Sequence, residues 1–132
     1  MNGNYLLDTN IILGLLYRQA EVIRLVPVFR SAKLSCSVIT KLELLSWHSL
    51  KRTDEMAVRG ILETLQILPL SQTIEELTIL FRRTTRLKLP DSIIAASAIS
   101  VHATLVSCDK VLANASYPGL HTLNPLTECV DI

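Results

Sequence analysis

The chain has 132 residues, of which 49% are apolar and 19% charged, and its formal net charge is +1. That composition fits one ordered domain spanning residues 1–132, rather than a disordered or solenoid chain. The near-neutral balance argues against a dedicated high-affinity DNA-binding module, which carries a larger basic excess.

The first strand is expected at Tyr5–Leu7, a short apolar run that ends at Asp8. A carboxylate at the mouth of a buried strand is costly unless something cationic meets it. Thr9 or Asn10 is a candidate cap for a helix through about Leu16, and a second helix should run from about Glu21 to Arg30, kinked or divided by Pro27. Lys33–Cys36 reads as the second strand, and Ser37 as the N-cap of a helix from Val38 to about Ser49. Thr53 or Asp54 should cap a helix to about Thr64, before a third strand at Gln66–Leu68.

Ser71 or Thr73 starts the next helix, where Thr73 and Glu76 fit a capping box. That helix should reach about Leu87 and turn Leu77, Leu80 and Phe81 to one apolar side. Pro90 suits the first helical position of a segment extending to about Val101, whose Ala95, Ala96, Ser97 and Ala98 permit close packing. A fourth strand is expected at Thr104–Ser107, a short turn or helix after Asp109, and an edge strand at His121–Leu123. This alternation predicts a three-layer α/β/α sandwich around a mostly parallel sheet of four to five strands.

No apolar run is long enough to span a bilayer, and Met1-Asn2-Gly3-Asn4 has no basic region, so neither a membrane span nor a secretory leader is expected. Cys36, Cys108 and Cys129 are odd in number and lack metal-ligand spacing, which suits free thiols in a reducing compartment, the cytoplasm. His48, His102 and His121 share no ligand spacing and suit structural or surface roles. Trp47 suits the core or an interface better than a base-stacking platform. No Gly-rich phosphate loop, Cys-x-x-Cys, His-Glu-x-x-His or nucleophile elbow is present.

The chemistry concentrates in four acids. Ligands of parallel α/β sheets bind outside the C-terminal ends of the strands. Asp8 ends the first strand and Asp109 follows the fourth. Glu43 lies in the helix after the second strand, and Asp91 in the first turn of the helix after Pro90, so all four can converge on one sheet edge. Like charges gathered there repel, so either their pKa values rise or cations fill the gap. Hard oxygen ligands suit Mg²⁺ or Mn²⁺, which would activate water for phosphodiester hydrolysis. Asn10 could reach a metal-bound water. Arg82, Arg83, Arg86 and Lys88 form a basic run that could hold a polyanionic substrate. Each residue also has a plain structural reading: Asp8 and Asn10 as helix caps, Asp91 as a partner for a helix dipole, Glu43 as a surface acid, Asp109 as a turn former and the arginines as a solvated face.

Four stretches carry a resemblance. They are Leu6-Leu7-Asp8-Thr9-Asn10; Ser37-Val38-Ile39-Thr40-Lys41-Leu42-Glu43-Leu44-Leu45; Leu89-Pro90-Asp91-Ser92-Ile93-Ile94-Ala95-Ala96-Ser97-Ala98; and Ala103-Thr104-Leu105-Val106-Ser107-Cys108-Asp109. In this order, over nearly the full chain, they resemble the PIN domain family, and within it the VapC-type toxins of bacterial toxin–antitoxin systems. The resemblance implies an endoribonuclease dependent on Mg²⁺ or Mn²⁺, with Asp8, Glu43, Asp91 and Asp109 on the acidic positions. Asn10 falls on an associated polar position, and Ser107 stands where the family more often has Thr. The aromatic that often follows the last acid is missing from Asp109-Lys110-Val111-Leu112. The resemblance further implies a homodimer and a cognate antitoxin whose C-terminal segment covers the active-site groove. The alternatives are a PIN-like nuclease of RNA processing or DNA cleavage outside a toxin pair, and a non-catalytic acidic α/β scaffold.

Overall fold

The computed structural model describes residues 3–127; Met1, Asn2 and Cys129 fall outside the described residues. The elements in chain order are β1 (Asn4–Leu7), α1 (Thr9–Leu16), α2 (Ala20–Ile23), α3 (Val26–Arg30), β2 (Lys33–Ser37), α4 (Val38–Leu45) and α5 (Arg52–Glu63). There follow β3 (Gln66–Leu68), α6 (Gln72–Thr84), α7 (Leu89–Ser100), β4 (Thr104–Val106), α8 (Lys110–Ala113) and β5 (His121–Leu123).

The five strands form one all-parallel sheet in the order β3-β2-β1-β4-β5. β1 lies at its centre, with Leu6 opposite Ser35 of β2 on one side and Leu105 of β4 on the other. The period-two alternation of a strand splits its side chains between two cores. Tyr5, Leu7 and Val106 pack on one face with Ile11, Ile12, Val22, Leu25, Phe29, Leu44, Val58 and Leu62 of α1 to α5. Leu6 and Leu105 pack on the other with Ile74, Phe81, Ile94, Ala95, Ala98 and Leu112 of α6 to α8. The expected three-layer architecture is thus observed. The chain winds outward from β1 in one direction through β2 and β3, then crosses to the other side for β4 and β5. That reversal makes the gap between β1 and β4 a topological switch point, where side chains at the strand ends face an open crevice.

Local chemistry explains most boundaries. The expected helix over 21–30 is two helices, because Pro27 sits in the first turn of α3 and the chain breaks just before it. Ser37 caps α4 by accepting from the Ile39 N–H, as expected, but α4 stops at Leu45. Ser71 caps α6 by accepting from the Ile74 N–H, so the capping box expected from Thr73 does not form. α5 starts after Lys51 without a side-chain cap in place of Thr53 or Asp54. On α6 the buried side is Ile74, Thr78 and Phe81; Leu80 is 44% exposed and does not join the core as expected. Phe81 joins the core as expected and packs against Tyr117, ring centroids 4.2 Å apart. No helix among the described residues is long and apolar enough to cross a membrane.

Candidate active site

Asp8 is carried to the switch point by the central strand. Its own N–H extends the ladder by donating to the Val106 carbonyl at 3.0 Å. Its carboxylate is 5% exposed and accepts three hydrogen bonds: Thr9 N–H to Oδ1 at 2.8 Å, Ser107 Oγ to Oδ2 at 2.7 Å and Asn10 Nδ2 to Oδ2 at 3.2 Å. Asp8, rather than Thr9 or Asn10, is therefore the N-cap of α1. Burial drives its pKa up; the bonds from Ser107 and Thr9 oppose that rise, and the nearby charges of Glu43 and Asp109 add to it.

Asn10 and Ser107 tie the two sides of the switch point together. The Asn10 side chain donates to Asp8 and accepts from the Cys108 N–H at 3.0 Å, bridging the start of α1 to the loop after β4. Ser107 is fully buried, and its Oγ also accepts from the Asp109 N–H at 3.0 Å. Strand β4 ends at Val106, one residue earlier than expected, which frees Ser107 for these contacts. Asp109 follows and caps α8, its Oδ1 accepting from the N–H groups of Val111 and Leu112.

Glu43 reaches the edge from α4. It is exposed, and its Oε1 accepts from the Thr9 hydroxyl at 2.8 Å. The Thr9 oxygen also lies 3.2 Å from that of the fully buried Thr40. Asp91 sits half-buried in the first turn of α7. Burial raises its pKa first, and the charges of Asp109, Asp8 and Glu43 raise it further, against a single opposing influence from Lys88. The four acids singled out in the sequence thus share one end of the sheet and one another's field. None of the four forms a salt bridge with a described residue; the Arg59–Glu55 ion pair at 3.0 Å lies on α5.

The arrangement is looser than a closed cup. Among the described residues, no three acidic, His or Cys side chains stand ready to enclose an ion. A small hard cation does not need such a cage: Mg²⁺ keeps several waters and is held by one or two carboxylates plus substrate phosphates. An all-oxygen donor set, rich in uncompensated negative charge, fits that chemistry.

The basic run divides in its roles. Arg82 Nη1 donates to the Leu87 carbonyl at 2.8 Å and so fastens the α6–α7 connection. Arg83 and Arg86 are exposed, and Lys88, also exposed, is the N-cap residue of α7 within the field of Asp91. His48, His102 and His121 are exposed, as expected for surface positions. Trp47 is 47% exposed and lies outside the core. Thr9 and Thr40 were not singled out as site residues. The available signal was the three-residue spacing of Thr40 and Glu43, which puts both on one face of α4.

A family model described as the PIN domain matches residues 5–116. The chain belongs to the PIN domain family. PIN domains are nucleases, and they generally use divalent metal ions. Among solved structures, this PIN domain is similar to a chain of a toxin–antitoxin complex from Klebsiella pneumoniae, with 30% identity, 92% of this chain and 97% of that chain covered, and a TM-score of 0.75. It shares the fold of a chain of VapBC2 from Rickettsia felis bound to a promoter DNA fragment, at 23% identity, coverage of 92% and 98%, and a TM-score of 0.74. The same holds for a chain of FitAcB from Neisseria gonorrhoeae, at 23% identity, coverage of 94% and 99%, and a TM-score of 0.73. No curated protein matches the sequence significantly.

Proposed function

We propose that this PIN domain is an endoribonuclease dependent on Mg²⁺ or Mn²⁺ and the toxin of a toxin–antitoxin pair, acting in the cytoplasm. The observation that carries the reading is the net negative field between β1 and β4, which no ion pair with a described residue neutralises. Asp8 is buried, Asp91 is half-buried, both have raised pKa values, and no salt bridge from a described residue neutralises either. Such a site is stabilised by cations, and PIN family membership makes the matching chemistry phosphodiester hydrolysis.

In this reading Asp8, Glu43, Asp91 and Asp109 supply the oxygen ligands. A bound divalent ion supplies Lewis acidity and a water of lowered pKa. Ser107 and Asn10 hold the Asp8 carboxylate in one orientation, and Asn10 keeps the two sides of the crevice in register. Arg83, Arg86 and Lys88 present positive charge to the substrate backbone, while Arg82 contributes by keeping their segment in shape. No side-chain nucleophile is required. The toxin assignment is supported by the similar toxin–antitoxin complex from Klebsiella pneumoniae. Exposed Leu42, Trp47 and Met56 offer apolar surface for a cognate antitoxin or a second copy in a homodimer.

The test is cleavage of total cellular RNA by wild-type and Asp8→Asn protein, each with and without divalent ion, followed by mapping of the new ends. Wild-type protein should cut only with the ion, and Asp8→Asn should lose at least ~100-fold in rate while keeping its fold. Wild-type cleavage by pure, folded Asp8→Asn protein would sink the assignment.

A further inference from the structure

Glu43 presents a mechanical problem. It is the exposed member of the four acids, and a long carboxylate side chain on a helix surface is free to sample several rotamers. Ion binding by such a group would have to immobilise it. The structure contains a device against that freedom. The Thr9 hydroxyl donates to Glu43 Oε1 at 2.8 Å, across a sequence separation of 34 residues. A hydroxyl has one proton and two lone pairs. The Thr9 oxygen lies 3.2 Å from Thr40 Oγ1; with the one Thr9 proton directed at Glu43, the hydroxyl left to donate across that pair is that of Thr40. Thr40 is fully buried on α4, so it anchors the chain Thr40–Thr9–Glu43 against the core. In the same residue, the Thr9 backbone N–H donates to Asp8 Oδ1 at 2.8 Å.

We propose that Thr9 is a positioning residue that sets the Asp8 and Glu43 carboxylates relative to each other, through its amide and its hydroxyl, and so preorganises the divalent-ion site. The inference rests on the nuclease reading of the site. It concerns a residue outside the proposed ligand set, which acts through the orientation of two of the proposed ligands. Loss of a partner that orients a metal ligand weakens metal affinity or activity by about 10–100-fold. The β-branched shape of Thr9 is matched by Val, which retains the backbone amide bond to Asp8 and removes only the hydroxyl, and Ser restores the hydroxyl without the methyl.

The experiment measures Mn²⁺ binding to the full-length protein by titration calorimetry, for wild-type, Thr9→Val, Thr9→Ser and Asp8→Asn, alongside RNA cleavage as a function of Mn²⁺ concentration. Thr9→Val should bind Mn²⁺ about tenfold more weakly and need correspondingly more ion for half-maximal cleavage. Thr9→Ser should recover most of both. The thermal midpoint without ion separates a site effect from a folding defect, because Thr9→Ser and Thr9→Val should melt within a few degrees of each other. Wild-type Mn²⁺ affinity in Thr9→Val would overturn the inference while leaving the nuclease reading intact. Equal weakening in Thr9→Val and Thr9→Ser would also overturn it, by showing that the methyl packing and not the hydroxyl matters. Unchanged Mn²⁺ binding and cleavage in Asp8→Asn would instead overturn the assignment of Asp8 to the ion site, on which the proposed mechanism rests.

Discussion

At the scale of single residues, Asp8 and Asp91 solve the same charge problem differently. Asp8 is nearly enclosed but accepts three hydrogen bonds, which offset part of the cost of its burial. Asp91 is less enclosed but accepts no hydrogen bond from a described residue, and it bears the field of three other acids. Both carboxyls have raised pKa values, so the folded chain holds protons that the unfolded chain has released. The sign follows from linkage: stability from these groups is fully present below the unfolded carboxylate value of about 4 and is lost as pH rises through the higher folded value. Without divalent ion, Asp91→Asn should therefore melt above wild type at pH 7, and the gap should narrow as pH falls toward 4. Thermal midpoints of the two proteins over that range check this, and a gap that widened on acidification would contradict it. Asp91→Asn is the cleaner probe because an amide at position 8 would also disturb the donors around it.

At the scale of elements, two helical glycines separate packing from propensity. Gly14 is buried in α1, and a Cβ there would lie 2.7 Å from Cγ2 of Val22, a fully buried side chain of α2. Val22 is β-branched and has no rotamer freedom with which to withdraw. Gly60 lies in α5, where a Cβ would meet nothing within 4 Å. Replacing Gly by Ala in a helix gains up to about 1 kcal/mol, while overpacking a filled core costs about 1–3 kcal/mol. Gly60→Ala should therefore raise the denaturation midpoint and Gly14→Ala should lower it; stabilisation by Gly14→Ala would show that α1 and α2 separate easily. The element order was legible in the sequence because strand breaks coincide with polar caps and prolines. The helix ends were less so, since Ser71 and Thr73 are both acceptable local caps two residues apart, and the structure uses Ser71. The four acids were visible because topology sends strand ends and helix starts to one edge. The Thr40–Thr9–Glu43 chain was not, because it depends on the approach of α1 to α4, which no local pattern encodes.

At the scale of the molecule, a net charge of +1 conceals a separation of charge. The acids converge between β1 and β4, while Arg86 and Lys88 stand exposed at the entry to α7, just ahead of Asp91 in its first turn. A polyanion is repelled by the first group and held by the second, so binding and chemistry should respond to different substitutions. Single-stranded nucleic acid binding weakens with salt by a slope of about 0.7 per neutralised phosphate. In an Asp8→Asn background, which should prevent turnover, adding Arg86→Gln and Lys88→Gln should weaken binding to single-stranded RNA and reduce that slope by about 1.4 if each contacts one phosphate. Arg82→Gln should act otherwise: by releasing the Leu87 carbonyl it should lower the thermal midpoint and leave the slope nearly unchanged. Binding titrations between 50 and 200 mM salt, roughly the range over which such contacts dominate, distinguish the two classes. An unchanged slope in the Arg86→Gln/Lys88→Gln protein would remove this run from the substrate path and leave it a solvated connection between α6 and α7.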